Sequence, residues 1–224
     1  MGRFTIAAAV LSLTIPAFAD INLSTGLNGG GTVICGNGQT GCGGASDANW
    51  TVLDEFGGAT PTPGQVVDPS NADWYAGWVA NASATPASDW IAFDANHCCD
   101  NGLGIYTRTF DLSSYNLSTV SISGSWAIDD TGQLALNGKL IGSLVDGWGS
   151  MTAFSDITPG DFVQGINTLQ IEMTDSDVFL EGVNLSGTLT GQQTGVVPEP
   201  SNIAMVLIAG FAILLVLARR RVVA

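Results

Sequence analysis

Apolar side chains recur at every second position over much of this chain, and that alternation limits its fold more than any other feature. Val120, Ile122, Trp126 and Ile128 alternate with Ser121, Ser123, Ser125 and Ala127. Leu169, Ile171 and Met173 alternate with Gln170, Glu172 and Thr174, and Val183, Leu185 and Leu189 with Asn184, Ser186, Thr188 and Thr190. A period of two gives a strand one face for a core and one for water, as antiparallel sheets require. Asn137-Gly138 falls between the apolar runs of Leu134–Leu140, the pattern of a two-residue hairpin. Trp50–Leu53, Asp89–Phe93, Gly104–Phe110 and Met151–Ile157 are further strand segments. No amphipathic helical period competes between the two ends of the chain. About eight short strands with Gly, Asn and Asp turns predict an all-β fold, an antiparallel β-sandwich.

The two ends follow other rules. Arg3, the apolar run Phe4–Ile15 and the small-x-small box Ala17-Phe18-Ala19 have the order of a secretory signal, with cleavage after Ala19. At the other end Ile203–Ala218 is apolar and is followed by Arg219, Arg220 and Arg221. As a helix of 16 residues it would span about 24 Å against a hydrocarbon core of about 30 Å, a short span that its arginines extend by snorkelling. The arginines would stay cytoplasmic and leave the domain outside. The expected organisation is a signal peptide over 1–19, a β-sandwich over 20–190, a linker over 191–197 and a sorting tail over 198–224 with a transmembrane helix at 203–218. Export places the cysteines in an oxidising compartment.

All but one of the 20 acidic residues lie between Asp20 and Glu181, where Arg108 and Lys139 are the only basic residues. So negative a domain repels nucleic acid, and it repels anionic polysaccharide unless a divalent cation bridges the two. Five N-x-S/T sequons, at Asn22, Asn49, Asn81, Asn116 and Asn184, would accept sugar only in a host with that machinery.

The tail reads VPEPS, then an apolar helix containing AGF, then ARRR. It resembles the PEP-CTERM sorting signal of Gram-negative bacteria that make extracellular polysaccharide. The resemblance implies that Pro198, Glu199 and Pro200 are recognised by an exosortase, a membrane protease-transpeptidase that removes the helix and sends the domain to the cell surface or beyond. The prolines stiffen that segment so that it can lie extended in a processing cleft. Secretion machinery and exosortase are the implied partners, with the membrane a partner only before processing.

A second resemblance concerns the domain. The run YTRTFDLSSYNLSTVSISGSWAIDDTGQLALNGKLIG, from Tyr106 to Gly142, is similar to the middle of galactose-binding-like jelly rolls. Those domains show an aromatic-x-R-x-F-D-L strand, a strand ending in W-x-x-D-D/N and an L-N-G hairpin, and FVQGINTLQIEM resembles their G-x-N-T-L strand. The resemblance implies a jelly roll of a kind that binds sugars in many enzymes and surface proteins.

Three groups of residues carry chemistry. Asp129 and Asp130 close a strand; with turn carbonyls they can hold Ca²⁺, or Asp129 caps the turn while Asp130 is solvated. Sugar faces stack on exposed aromatic rings, so Trp148, in the loop Asp146-Gly147-Trp148-Gly149, is a ligand-binding candidate among Trp50, Trp74, Tyr75, Trp78 and Trp90, while Trp126 is a core residue. Cys35 and Cys42 bracket a glycine-rich loop, and Cys98 and Cys99 are adjacent after His97. Two disulfides stapling the loop to the 98–99 segment are the favoured arrangement, with a zinc site of His97 and thiolates as the alternative. Catalysis has little to draw on: the chain has one histidine, and no glycine loop precedes a helix and a lysine. The expectation is a non-catalytic exported module that binds carbohydrate or matrix, set against a self-associating matrix scaffold or a secreted hydrolase.

Overall fold

The computed structural model describes residues 17–54, 60–72, 74–95, 102–175 and 179–194. Residues 1–16 of the expected signal, Cys98, Cys99 and His97, and the whole sorting tail with the 203–218 segment lie outside these. Among the described residues no helix is long and apolar enough to cross a membrane.

Eleven strands follow in chain order among the described residues: β1 (Phe18–Asn22), β2 (Ser46–Asp54), β3 (Thr62–Val66), β4 (Ile91–Ala92), β5 (Leu103–Asp111), β6 (Ser121–Asp129), β7 (Thr131–Leu136), β8 (Lys139–Val145), β9 (Thr152–Asp156), β10 (Ile166–Thr174) and β11 (Gly182–Gln192). They hydrogen-bond in the order β8-β7-β10-β5-β2-β3-β4-β11-β6-β9, with β1 also on β11, and every pairing is antiparallel. The path folds over so that β8-β7-β10-β5-β2 faces β11-β6-β9 across one core, an all-β antiparallel sandwich. Tyr106, Leu134, Leu169, Ile171 and Trp50 of the first layer share that core with Ile122, Trp126, Ile128, Leu185 and Leu189 of the second.

The alternation read from β10 holds: Leu169, Ile171 and Met173 are buried while Glu172 and Thr174 are exposed. Asn137 and Gly138 take φ of 50° and 79°, as the tight turn between β7 and β8 demands. The wet face expected for β11 is dry along its first half. Asn184 and Ser186 are 1% exposed because the 80–90 segment covers them, with Ser88 Oγ donating to Asn184 Oδ1 at 2.6 Å and Ser186 Oγ to the Pro86 carbonyl at 2.5 Å. β11 also runs into the segment expected to be linker, ending at Gln192. β1 spans the expected cleavage point, and Asp20, Ile21 and Asn22 pair with Thr190, Leu189 and Thr188.

The favoured cysteine arrangement needs correction. Cys35 is bonded to Cys42 across a loop of seven residues' separation, so neither staples that loop to the 98–99 segment. Hydrogen bonds bring the two sulfurs together. Asp68 Oδ2 accepts the N–H groups of Cys42 and Gly43 at 2.7 and 2.6 Å, and Asp89 Oδ2 accepts that of Cys35 at 2.6 Å. The same bond removes these two thiolates from the alternative zinc site. Cys35, Cys42 and Asp68 converge within 4.8 Å, but as a disulfide and its anchoring carboxylate.

Candidate functional site

The β6–β7 junction, the loop after β8 and residues 179–180 just before β11 meet the 74–79 segment around one cleft of about 260 Å³. It is lined by Tyr75, Asp129, Asp130, Asp146, Trp148, Phe179 and Leu180. That is just under the roughly 300 Å³ at which small-molecule pockets begin, a size for a short ligand or the end of a longer one.

The cleft is built from its floor upward. Ala127 is small and fully buried, and it leaves room on the outer face of β6 for Trp78, Trp90 and Leu180. The Trp78 and Trp90 rings stack with centroids 4.2 Å apart at 17°, and Trp74 meets Trp78 edge-on at 5.6 Å. Trp90 Nε1 donates to the Val79 carbonyl at 2.7 Å, and Trp78 Nε1 donates to Asp129 Oδ2 at 2.6 Å. The indole pair therefore sets the position of the first carboxylate.

The second wall comes from the loop after β8. Asp146 has φ of 50° and turns the chain into a 3-10 turn, Gly147–Gly149, that carries Trp148. The Asp146 N–H donates to the Asp130 carbonyl at 2.7 Å, and the Val79 N–H to the Trp148 carbonyl at 2.9 Å. Tyr75 and Trp148 meet edge-on with centroids 5.1 Å apart at 84°. Gly77 makes that approach possible, since a Cβ there would lie 2.5 Å from the Tyr75 ring and 2.8 Å from the Trp148 ring. Trp148 is half-buried and Tyr75 exposed, so part of each ring is open to a ligand.

Among the described residues three carboxylates line the cleft and no basic side chain does. Among the described residues the two basic side chains are engaged elsewhere: Arg108 Nη1 donates to Asn49 Oδ1 at 2.9 Å, and Lys139 pairs with Asp161. Asp129 and Asp130 are only 6% and 7% exposed, so Asp130 is not the solvated residue of the turn-cap reading. Their oxygens are the hard donors Ca²⁺ prefers. Among the described residues, however, no set of three acidic, histidine or cysteine groups that includes them closes to within 4.8 Å. A cation here would need carbonyl, water or ligand oxygens to complete its shell.

The cleft joins Asp129, Asp130 and Trp148, which the sequence singled out separately, with Tyr75 from the wider aromatic set, and it adds Asp146. Trp50, Trp78 and Trp90 are buried, as is Trp126, and do not line it. Phe179 and Leu180 were not foreseen; an apolar pair inside the acidic run from Asp175 to Glu181 was the available signal.

No protein-family model matches the chain. No curated protein matches it either. Solved structures that resemble it include an FMN-binding β-glucuronidase from Facaelibacterium prausnitzii L2-6, at 16% identity over 79% of this chain and 23% of that one, with a TM-score of 0.39. CBM35 from Cellvibrio japonicus Abf62 matches at 16% identity over 65% of this chain and 94% of its own, with a TM-score of 0.32. A carbohydrate-binding module CBM36 in complex with calcium and xylotriose matches at 16% identity over 62% and 97%, with a TM-score of 0.29. The chain spans less than a quarter of the length of the glycosidase structures it matches.

Proposed function

We propose that this chain is an exported cell-surface or extracellular-matrix protein whose β-sandwich, a galactose-binding-like jelly roll, binds carbohydrate without catalysing its breakdown. The observation that carries the reading is the cleft itself, where the Tyr75 and Trp148 rings stand beside the carboxylates of Asp129, Asp130 and Asp146. Aromatic faces take the apolar side of a sugar ring, and carboxylates accept its hydroxyls. A site of this charge favours neutral glycans. An anionic glycan would need Ca²⁺ held between its own oxygens and Asp129 and Asp130. The Cys35–Cys42 disulfide supports an oxidising, extracellular setting. In this reading the tail from Pro198 to Arg221 is the exosortase signal, and the domain reaches the surface or the matrix once the tail is removed.

The test is binding of the full chain, with its disulfide formed, to a glycan array and to neutral and uronate polysaccharides, each in calcium and in EDTA. Saturable binding that Trp148→Ala weakens at least tenfold, in a chain that still unfolds cooperatively, is the expected result. Binding that ignores Trp148, or no binding with concentration-dependent assembly instead, would transfer the reading to a self-associating scaffold. Loss of binding in EDTA for the uronates alone would assign the cation its bridging role.

A further inference from the structure

Residues 26–35 form a small hairpin before the disulfide loop, and it rests on two buried carboxylates. Leu27 bridges Val33, Asn28 N–H donates to the Thr32 carbonyl at 2.9 Å, and Ile34 N–H to the Gly26 carbonyl at 2.9 Å. Its first leg is held by Asp47 of β2, whose Oδ2 accepts the Gly26 N–H at 2.5 Å, with Leu27 N–H also directed at that carboxyl. Its second leg is held by Asp89, whose Oδ2 accepts the Cys35 N–H at 2.6 Å, with Ile34 N–H also directed at it. Gly26 has φ of 72° and lies against Asp89, where a Cβ would come within 2.3 Å of the aspartate Cβ. Asp89 is fully buried, and its Oδ1 has no hydrogen-bond partner.

An unpartnered carboxylate oxygen at 0% exposure must either carry a proton or be reached by water. A cation is the wrong guest, because both carboxylates are approached by backbone N–H donors, whose positive ends repel it. We propose that the 26–35 hairpin is a proton-gated latch, sealed while Asp89 is protonated and opened to water when Asp89 ionises beside Asp47. Burial, with the charge of Asp47 added, pushes the Asp89 carboxyl up to about 7, against the pull of the Cys35 and Ile34 N–H groups. Burial also raises Asp47, whose Asn49, Trp50, Gly26 and Leu27 N–H groups oppose the rise. The other charged group near this pair is Arg108 of β5, on which the charge of Asp47 acts. Asp68, at the far end of the disulfide loop, stays below the usual carboxylate range. Burial works against its charge, but the Ser70 hydroxyl and N–H and the Gly43 and Cys42 N–H groups outweigh it. One end of the loop is thus anchored at every pH above the ordinary carboxylate range, and the other only while the latch is shut.

The sign follows from proton counting. The open hairpin exposes Asp89 and gives up its proton near the ordinary aspartate value, whereas the sealed hairpin keeps it to about 7. Opening therefore gains close to tenfold per pH unit between pH 5 and 6 and levels off above pH 7. Hydrogen–deuterium exchange of the full chain, corrected for intrinsic rates, reads this directly. Protection at Gly26, Ile34 and Cys35 should fall at least tenfold from pH 5 to 7. Asp89→Asn, which mimics the protonated form, should hold the hairpin's protection constant over that range. Equal pH profiles in the wild type and Asp89→Asn would overturn the proposal. If that variant fails to fold, a carbon-13 carboxyl titration of the wild type decides: a midpoint near 7 for Asp89 supports the latch, and one below 5 overturns it.

Discussion

Trp78 has the most demanding position of any single side chain here. It stacks on Trp90, receives Trp74 on its edge and donates its one N–H to a nearly buried carboxylate. Trp78→Phe would keep most of the stacking and remove one hydrogen bond to Asp129. Losing a hydrogen bond to a buried polar group costs about 1–3 kcal/mol, so the variant should melt lower. The glycan affinity proposed for the cleft should fall too, because Asp129 loses the indole N–H that it accepts there. Urea melts and the binding assay check the two effects separately. At this scale Trp148, Asp129 and Asp130 could be singled out as candidates before the fold was known, and that they line one cleft could not. Trp78 was not legible as their support. Nothing in DWYAGW distinguishes an aromatic ring that lines the cleft, Tyr75, from one that underlies it, Trp78.

Among the elements, the β7–β8 hairpin is where local sequence and structure agree most closely. Gly138 has φ of 79° with nothing within 4 Å of the position a Cβ would take, so a substitution there meets backbone strain alone. Gly138→Val should cost about 1–2 kcal/mol, read as a lower denaturation midpoint with an unchanged slope. β10, too, was readable, because a strand with one wet face displays its period directly. β11 misled in its first half. Asn184 and Ser186 looked like solvent-facing residues but are buried beneath the 80–90 segment, where Ser88 and the Pro86 carbonyl satisfy them. A polar residue with a buried partner has the same one-letter pattern as one in water. β1, β3 and the 26–35 hairpin went unseen because each is short, and β1 is held by β11, far along the chain.

For the molecule as a whole, proton linkage sets the pH at which the fold is most stable. Asp89 and Asp47 hold their protons to higher pH when folded than when unfolded. The folded state therefore binds more protons between the ordinary aspartate value and about 7, and stability falls as pH rises through that window. For Asp89 the change is on the order of 4 kcal/mol. Asp68 acts in the opposite sense: its stabilisation is present at neutral pH and is lost as pH drops below the ordinary carboxylate range. Melting temperature should accordingly peak between about pH 4 and 5, fall toward pH 7 and flatten beyond it. In Asp89→Asn much of that fall should vanish, and calorimetry of the two chains across pH makes the comparison. The formal net charge of −14 adds a weaker slope of the same sign, which the variant retains.

By itself the sequence determined the all-β class, the Asn137-Gly138 turn, the inward faces of β6 and β10, and the acidity that disfavours nucleic acid as a partner. These are properties of neighbours in the chain, where a period of two or a left-handed turn is enforced by sterics and burial over a few residues. Tertiary structure alone decided which sulfurs bond, which tryptophans stay open to solvent, and that Tyr75, Asp129, Asp146 and Trp148 share one cleft. Those outcomes depend on contacts between segments tens of residues apart. Asp68 accepts the N–H of Cys42 and Asp89 that of Cys35, and no local pattern records those long-range bonds.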